Sequence, residues 1–284
     1  MALQRVEEIR NQGHADLLAD YFEPISILAQ AVVLGIDRED ISSLRNWVRD
    51  LAIGASNFDK DPIMQGTADA ASSEMSRVLQ PLIEQESAQP STSLISDLLH
   101  RGREEGCPRR PDEVLPTLKV LMIGGAQEPG HASASTLYAL FCHPDQLRDV
   151  QEDSSLLGSA VNETLRWMSP IGTQTRQTTQ SVTIAGSRIP QGERVAALIS
   201  SANRDNAIFQ EPDRFNIYRR DGRNAAFGFG PHACVGSLFT RKSSQVMLEV
   251  ILHALPNMRP DGSKPTLLRG WEFRGPRALY VVWD

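Results

Sequence analysis

The stretch FGFGPHACVG, residues 227–236, is the most informative part of this chain of 284 residues. Three glycines and one proline surround a single cysteine, Cys234, and a helical pattern follows from Ser237 to Leu255. Glycine tolerates backbone conformations that other residues avoid, so this loop can lie flat against a planar ligand. Backbone N–H groups and the positive end of the helix dipole stabilise a thiolate placed just before a helix. The pattern therefore favours Cys234 as a ligand of a flat metal cofactor.

Two other interpretations of Cys234 remain open on the residues alone. One is a free, buried cysteine in a glycine turn. The other is a catalytic nucleophile, which is disfavoured because the pattern suggests no partner histidine. The other cysteines, Cys107 and Cys142, are far away in sequence, without CxxC pairs or zinc-like spacing. Free thiols of this kind are typical of a reducing cytoplasm.

Composition excludes several classes of protein. The chain is 40% hydrophobic and 23% charged, with a formal net charge of -6, which argues against nucleic acid as a partner. The N-terminus, MALQRVEEIRNQG, lacks the apolar core of a signal peptide, and no apolar stretch is long enough to predict a membrane span. We therefore expect a cytoplasmic protein without nucleic-acid or membrane partners.

The order of patterns predicts a mainly α fold with small β-sheets. Helical spacing of apolar residues dominates the first two-thirds, over Leu17–Leu34, Asp40–Ile53, Pro62–Glu86, Leu94–Arg101, Pro111–Phe141 and Leu156–Met168. Alternating residues from Thr173 to Ser200 predict strands with turns at Ala185-Gly186 and Gln191-Gly192, and the tail from Arg269 to Asp284 suggests a final hairpin.

The longest helical pattern is interrupted at GGAQEPG, residues 124–130. Glycine costs about 1 kcal/mol and proline about 3 kcal/mol inside a helix. The interruption is interpreted either as two helices with a break, or as one helix distorted where another group must approach the backbone closely.

The cysteine stretch resembles the haem-binding signature of the cytochrome P450 family, Phe-x-x-Gly-x-x-x-Cys-x-Gly, at Phe227, Gly230, Cys234 and Gly236. The chain is thus similar to a soluble bacterial cytochrome P450. The resemblance implies haem b (iron protoporphyrin IX) with Cys234 as the axial metal ligand. It also implies that Phe227 shields the sulfur and that His232 contacts a haem propionate.

Three other segments fit the same resemblance. Glu163 and Arg166, followed by Pro212-Asp213-Arg214-Phe215, match the family's Glu-x-x-Arg and Pro-x-Arg-Phe motifs, which implies a buried structural triad of Glu163, Arg166 and Arg214. Alone, the Glu163–Arg166 spacing is equally compatible with a solvated ion pair. Arg176 falls where the family has an arginine bound to a propionate; the alternative is an exposed strand arginine.

The interrupted helix completes the resemblance. Gly124 and Gly125 resemble the distal-helix kink that leaves room for dioxygen, so Gly125 is predicted to contact the cofactor. The usual acid–threonine pair is replaced by Gln127 and Glu128. A positioned carboxylic acid can relay protons, which makes Glu128 the predicted relay and Gln127 its hydrogen-bonding neighbour.

The resemblance extends from about Arg5 to Asp284 as a single domain, 1–284, and implies that the family's N-terminal quarter is lacking. It implies a monooxygenase that hydroxylates or demethylates a small organic substrate with dioxygen. A separate ferredoxin or flavoprotein would supply electrons, docking on basic residues that are equally compatible with a solvated surface, namely Arg219, Arg220, Arg223, Arg241 and Lys242. The alternative is a truncated, non-catalytic haem-binding or haem-free relative.

Overall fold

A computed structural model of the chain describes residues 1–36, 41–55, 57–104 and 106–284. Its internal contacts define two compact units. Unit 1 comprises Met1–Asn11 and Ala19–Gly130, and unit 2 comprises Gln12–Leu18 and His131–Asp284. The grouping of 1–284 into a single domain stays a prediction.

Unit 1 is helical throughout its regular structure. Its helices are α1 (Ala2–Ile9), α2 (Glu23–Leu34), α3 (Ile41–Ala55), α4 (Pro62–Ala88), α5 (Leu94–His100) and α6 (Pro111–Ala126). Asp40, the predicted start of α3, lies outside the described residues. Local signals explain the boundaries of α4: the side chain of Asp61 accepts hydrogen bonds from the N–H groups of Ile63 and Met64, and Pro62 occupies the first turn.

The core of unit 1 is an apolar cluster contributed by α2 to α6. Its fully buried members include Leu34, Leu44, Met75, Leu79 and Leu118. These side chains recur at helical spacing along their helices, so each helix presents one apolar stripe to the others. Burial of these stripes holds unit 1 together.

The helical pattern from Pro111 to Phe141 is interrupted at a single residue. Helix α6 ends at Ala126, and α7 (Glu128–Phe141) begins two residues later. Between them, Gln127 has φ -98° and ψ -43°, which is still in the right-handed helical region. The structure therefore has two helices separated by a one-residue distortion, at the position that the sequence predicted.

Unit 2 combines helices with short strands. After strand β1 (His14–Asp16) it contains helices α8 (Pro144–Glu152), α9 (Leu157–Trp167), α10 (Ile199–Ala202) and α11 (Ser237–Ala254). Helices α9 and α11 pack against each other. The fold is mainly α with small sheets, as the sequence predicts. Within the described part of the chain, no helix is both long and apolar enough to cross a membrane.

The strands after α9 confirm the predicted turns. The strands are β2 (Gln174–Gln177), β3 (Val182–Ile184), β4 (Ser187–Ile189) and β5 (Arg194–Ala197). Strand β3 pairs with β4 and β2 pairs with β5, both antiparallel. Ala185 and Gly186 both have positive φ, of 47° and 81°, which is the geometry of a tight two-residue hairpin turn.

The predicted C-terminal hairpin is right only in part. Strands β7 (Leu268–Arg269) and β8 (Gly275–Pro276) do pair with each other. The last strand, β9 (Tyr280–Val282), instead lies between β1 and β6 (Arg259–Pro260) in a three-stranded sheet. The sequence analysis missed β1, because three residues carry too little periodicity to identify a strand.

Candidate haem-thiolate site

The cysteine loop closes on itself through its backbone. Gly228 and Gly230 have φ of 64° and 70°, in the left-handed region that favours glycine. These conformations allow the N–H of Cys234 to donate a hydrogen bond of 2.8 Å to the carbonyl oxygen of Phe227. Residues Gly230–His232 form one 3-10 turn, and α11 begins at Ser237. The loop is thus a closed turn that holds Cys234 just before a long helix.

Arginine side chains cover both phenylalanines of the loop. The guanidinium of Arg241, on α11, lies 4.5 Å from the centroid of the Phe227 ring, and that of Arg223 lies 5.0 Å from the Phe229 ring. Such contacts are attractive because the ring face is electronegative. Burial, followed by the nearby charge of Arg223, lowers the pKa of Arg241.

The chemistry of the loop surface fits a haem. Cys234 is a free, exposed cysteine, so its sulfur is available to a metal. Its neighbours include apolar side chains that are largely exposed: Phe229 at 52%, Val235 at 83% and Leu238 at 68%. Exposed apolar surface of this extent is unfavourable in water, and covering it with an apolar porphyrin face would recover about 25 cal/mol per Å².

Glu163 and Arg166 form a buried ion pair on α9. The Arg166 guanidinium donates to both carboxylate oxygens of Glu163 at 2.8 Å, and the two side chains are only 2% and 3% exposed. Its other N–H groups donate to the carbonyl oxygens of Asn203, Pro212 and Arg214. Buried charges are tolerated when they are paired and fully hydrogen-bonded, which is the arrangement here.

The third member of this triad is Arg219, and the prediction of Arg214 was wrong. The Arg214 side chain is 67% exposed and faces Glu211; only its carbonyl oxygen joins the network. Arg219 is 8% exposed, and its Nε donates to Glu163 at 3.1 Å. The sequence did offer a second candidate arginine in the run Tyr218-Arg219-Arg220-Asp221, where Asp221 also forms an ion pair with Arg219. Spacing alone does not say which arginine turns inward.

The two predicted propionate ligands lie on the surface of unit 2. His232 is exposed in the cysteine loop. Arg176 is exposed on β2, where its guanidinium donates to the side-chain oxygen of Gln174 and the carbonyl oxygen of Thr175. No carboxylate pairs with Arg176 among the described residues, so its charge is available to an external acid. Their binding of propionates stays a prediction.

The distal-helix candidates belong to unit 1. At Gly125 an added Cβ would collide with the side chain of Gln30 from α2, whose amide donates to the carbonyl of Leu121 at 3.1 Å. Packing within unit 1 therefore explains this glycine, and its contact with a cofactor stays a prediction. Glu128 opens α7, and burial raises the pKa of its carboxyl to about 7. Gln127 lies between the two helices.

Comparison with known proteins decides the family. The sequence profile described as cytochrome P450 matches residues 61–274, which includes both the Glu163–Arg166 pair and the cysteine loop. The chain belongs to the cytochrome P450 family. This membership implies a haem cofactor.

Named relatives of this P450 include monooxygenases. The chain is 30% identical over 281 residues to the steroid C26-monooxygenase of Mycolicibacterium smegmatis, covering 98% of this chain and 69% of that protein. It is 32% identical over 276 residues to the cytochrome P450 monooxygenase PikC of Streptomyces venezuelae, covering 95% and 64%. Across these curated relatives the chain spans 62 to 70% of their length.

Solved structures agree with the sequence matches. The crystal structure of P450BioI in complex with hexadec-9Z-enoic acid ligated acyl carrier protein superposes with a TM-score of 0.91 at 27% identity, covering 100% of this chain and 72% of that one. The family as a whole uses redox partners and small-molecule substrates.

Proposed function

We propose that this P450 is a haem-thiolate monooxygenase, located in the cytoplasm, which hydroxylates or demethylates a small organic substrate. The observation that carries the proposal is the exposed thiol of Cys234, held before α11 in a closed glycine loop with the family signature. The proposed cofactor is haem b. Bound through a cysteine thiolate, haem supplies dioxygen activation, because the thiolate pushes electron density onto the iron.

The loop residues have separable roles in this proposal. Cys234 ligates the iron, while the hydrogen bond from its backbone N–H to the carbonyl oxygen of Phe227 fixes the backbone that carries the sulfur. The Phe227 ring, held by Arg241, keeps water from the sulfur. Gly230 and Gly236 leave space for the cofactor plane, and His232 and Arg176 bind the propionates. A guanidinium grips a carboxylate with two parallel hydrogen bonds, which suits Arg176 to that task.

Glu128 holds and moves a proton in this proposal. A carboxyl with a pKa of about 7 is populated in both protonation states at neutral pH, which is the best range for proton relay. Gln127, its neighbour in sequence at the helix interruption, orients that carboxyl by hydrogen bonding.

Electrons come from a separate ferredoxin or flavoprotein with an acidic surface. Arg220, Arg223 and Lys242 are exposed and Arg241 is partly exposed, so these four residues are available as a basic docking face. Arg219 is removed from this set, because its charge is buried against Glu163.

The test is a spectrum of the full chain, expressed with added haem precursor, reduced and treated with carbon monoxide. We expect the strongly red-shifted Soret band of thiolate ligation. Cys234→Ser should abolish that band, whereas the matched control Cys142→Ser, at another exposed cysteine, should retain it. Colourless wild-type protein, or a shifted band that survives in Cys234→Ser, would overturn the proposal; the first result favours a haem-free relative.

A further inference from the structure

A polar cavity of about 300 Å³ opens in unit 2 between α9 and residues 209–224. Its lining includes Ser159 and Asn162 from α9, and Asn216, Arg220 and Gly222 from the irregular segment. All of its lining residues belong to unit 2. A water molecule takes up about 30 Å³ in the liquid, so the cavity has room for about ten waters or for one small molecule.

Close packing fixes the walls of this cavity. Gly222 has φ 70°, and a Cβ added there would collide with the ring of Phe209. A Cβ added at Gly158 would collide with the side-chain amide of Gln245 on α11. Phe209 is itself buried, and the Arg166 guanidinium lies 5.3 Å from the centroid of its ring. The walls are therefore held in place before a ligand arrives, which lowers the entropic cost of binding.

The carboxylates in the cavity wall already have partners. Glu163 accepts hydrogen bonds from the guanidinium groups of Arg166 and Arg219. Asp221 accepts from the same Arg219 guanidinium and from the backbone N–H of Gln210. Because these negative charges are compensated within the protein, the wall does not attract a cation.

Side-chain donors in the same wall are available to a ligand. The Oδ1 of Asn162 accepts from the Asn224 amide, and the Oδ1 of Asn216 accepts from the N–H of Tyr218. No hydrogen bond between described residues uses the Nδ2 of Asn162 or Asn216, or the hydroxyl of Ser159. The two amides and the hydroxyl therefore offer donors, while both amide oxygens are already occupied.

Arg220 adds a positive charge that has no protein partner. Its side chain is exposed in the cavity lining, and it forms no ion pair or hydrogen bond with any residue that the structure describes. The wall thus contains three arginines, Arg166, Arg219 and Arg220, against two carboxylates. The excess of one positive charge, together with the free donors, favours an anion with several acceptor oxygens.

We propose that this cavity binds a phosphate group, either of inorganic phosphate or of a small phosphomonoester. A guanidinium pairs strongly with phosphate, and the phosphate oxygens can accept from the hydroxyl and both amides as well. A carboxylate has only two oxygens and one charge, so it uses fewer of these donors. The site does not include Cys234 and is independent of the proposed haem chemistry.

Calorimetry on the full haem-loaded chain, in phosphate-free buffer at constant ionic strength, tests the site with inorganic phosphate, phenyl phosphate and benzoate. We expect phenyl phosphate or inorganic phosphate to bind about tenfold tighter than benzoate, because phosphate engages more of the charged and polar donors. Tighter binding of phenyl phosphate than of inorganic phosphate identifies a monoester as the ligand. Equal or weaker binding of phenyl phosphate identifies free phosphate.

Two variants locate the binding. Arg220→Ala should weaken the affinity for the tighter phosphate probe about tenfold, because it removes the unpaired charge. Asn162→Asp keeps the oxygen that accepts from Asn224 but replaces the free NH2 with a negative oxygen, so it should weaken binding as well. The matched control Arg188→Ala, at an exposed arginine on β4, should retain the wild-type affinity.

Binding of neither phosphate probe to the wild type would overturn the proposal, and so would equal affinity for benzoate. Unchanged phosphate affinity in both cavity variants would overturn it too. The comparison of the three probes in the wild type decides the matter even when a variant folds poorly. The carbon monoxide spectrum reports on the haem separately, so failure of the phosphate site leaves the proposed function standing.

Discussion

Glu163, Arg166 and Arg219 bury three charges that are compensated by ion pairs and hydrogen bonds. Arg166 places its Nε, Nη1 and Nη2 donors on Glu163 and three carbonyl oxygens, and Arg219 adds a second cation to the same carboxylate. Those carbonyl oxygens lie at residues 203, 212 and 214, so α9 is tied to the irregular segment that precedes the cysteine loop. The triad thereby fixes the segment that leads into the cysteine loop.

Replacing Arg219 should reveal this support. Arg219→Ala is expected to lower the free energy of unfolding by about 3 kcal/mol, because Glu163 loses a buried partner. The matched change Arg214→Ala, at an exposed arginine nearby, should stay within about 0.5 kcal/mol of the wild type. Urea denaturation measures both. Equal effects of the two changes would show that Arg219 is not the inward-facing member.

Glu128 should make stability depend on pH. Its folded-state pKa is raised from 4.5 to about 7, so the native state binds more protons than the unfolded state between these values. Stability therefore falls as pH rises through this window and levels off above about pH 7. Glu128→Gln should stabilise the full chain by about 2 kcal/mol at pH 8 and by nothing measurable below about pH 4.5. Urea denaturation at both pH values checks this, with Glu193→Gln as the control; a pH-independent gain would refute the assignment.

At the scale of elements, helix propensity and side-chain packing favour different residues near the junction of α6 and α7. Glycine destabilises a helix, yet two adjacent glycines, Gly124 and Gly125, lie in the last turn of α6. At Gly125 the reason is local packing, since the Gln30 side chain of α2 fills the place of a Cβ. At Gly124, apart from its chain neighbours and the backbone of α6 itself, no described atom lies within 4 Å of that place. Packing in unit 1 therefore requires a glycine at position 125, whereas position 124 has room for a side chain.

Alanine substitutions should consequently have opposite signs. Gly125→Ala must displace the Gln30 amide from the Leu121 carbonyl, so we expect a loss of about 1–2 kcal/mol. Gly124→Ala should stabilise the chain by about 0.5–1 kcal/mol through helix propensity alone. Thermal unfolding of the two variants provides the measurement. A destabilising Gly124→Ala would mean that this position also has a steric requirement.

At the scale of the whole molecule, the first strand of the chain pairs with the last. Strand β1 pairs with β9 in register His14–Val282, Ala15–Val281 and Asp16–Tyr280. Asp16 reinforces the pairing, because its Oδ1 accepts hydrogen bonds from the N–H groups of Leu18 and Leu279. The residues 12–18 thus belong to unit 2, although they lie between two segments of unit 1.

Removing that acceptor should loosen the end of the chain. Asp16→Ala leaves the buried N–H of Leu279 without a partner, at an expected cost of about 2 kcal/mol. Asp16→Asn keeps an oxygen in place and should cost less than about 1 kcal/mol. Hydrogen exchange at Leu279 should accelerate in the alanine variant. Unchanged protection at that amide would show that the strand pairing alone closes the sheet.

Local chemistry made several features predictable from the sequence. The cysteine loop depends on glycines whose positive φ only a residue without Cβ adopts easily, and the helix starts depend on caps such as Asp61. The interruption at Gln127 and the turn at Ala185-Gly186 follow from the same local preferences. In each case the interactions that decide the structure lie within a few residues of one another, so the sequence contains them.

The sequence by itself determined the family and the mainly helical fold, and it predicted Cys234 as the metal ligand, because these depend on local backbone preferences and contiguous motifs. Tertiary structure alone decided that Arg219 rather than Arg214 turns inward and that β9 joins β1. Each of these depends on the packing of segments that are distant in sequence. Burial there selects among chemically equivalent side chains, and this selection cannot be read from residue type and spacing.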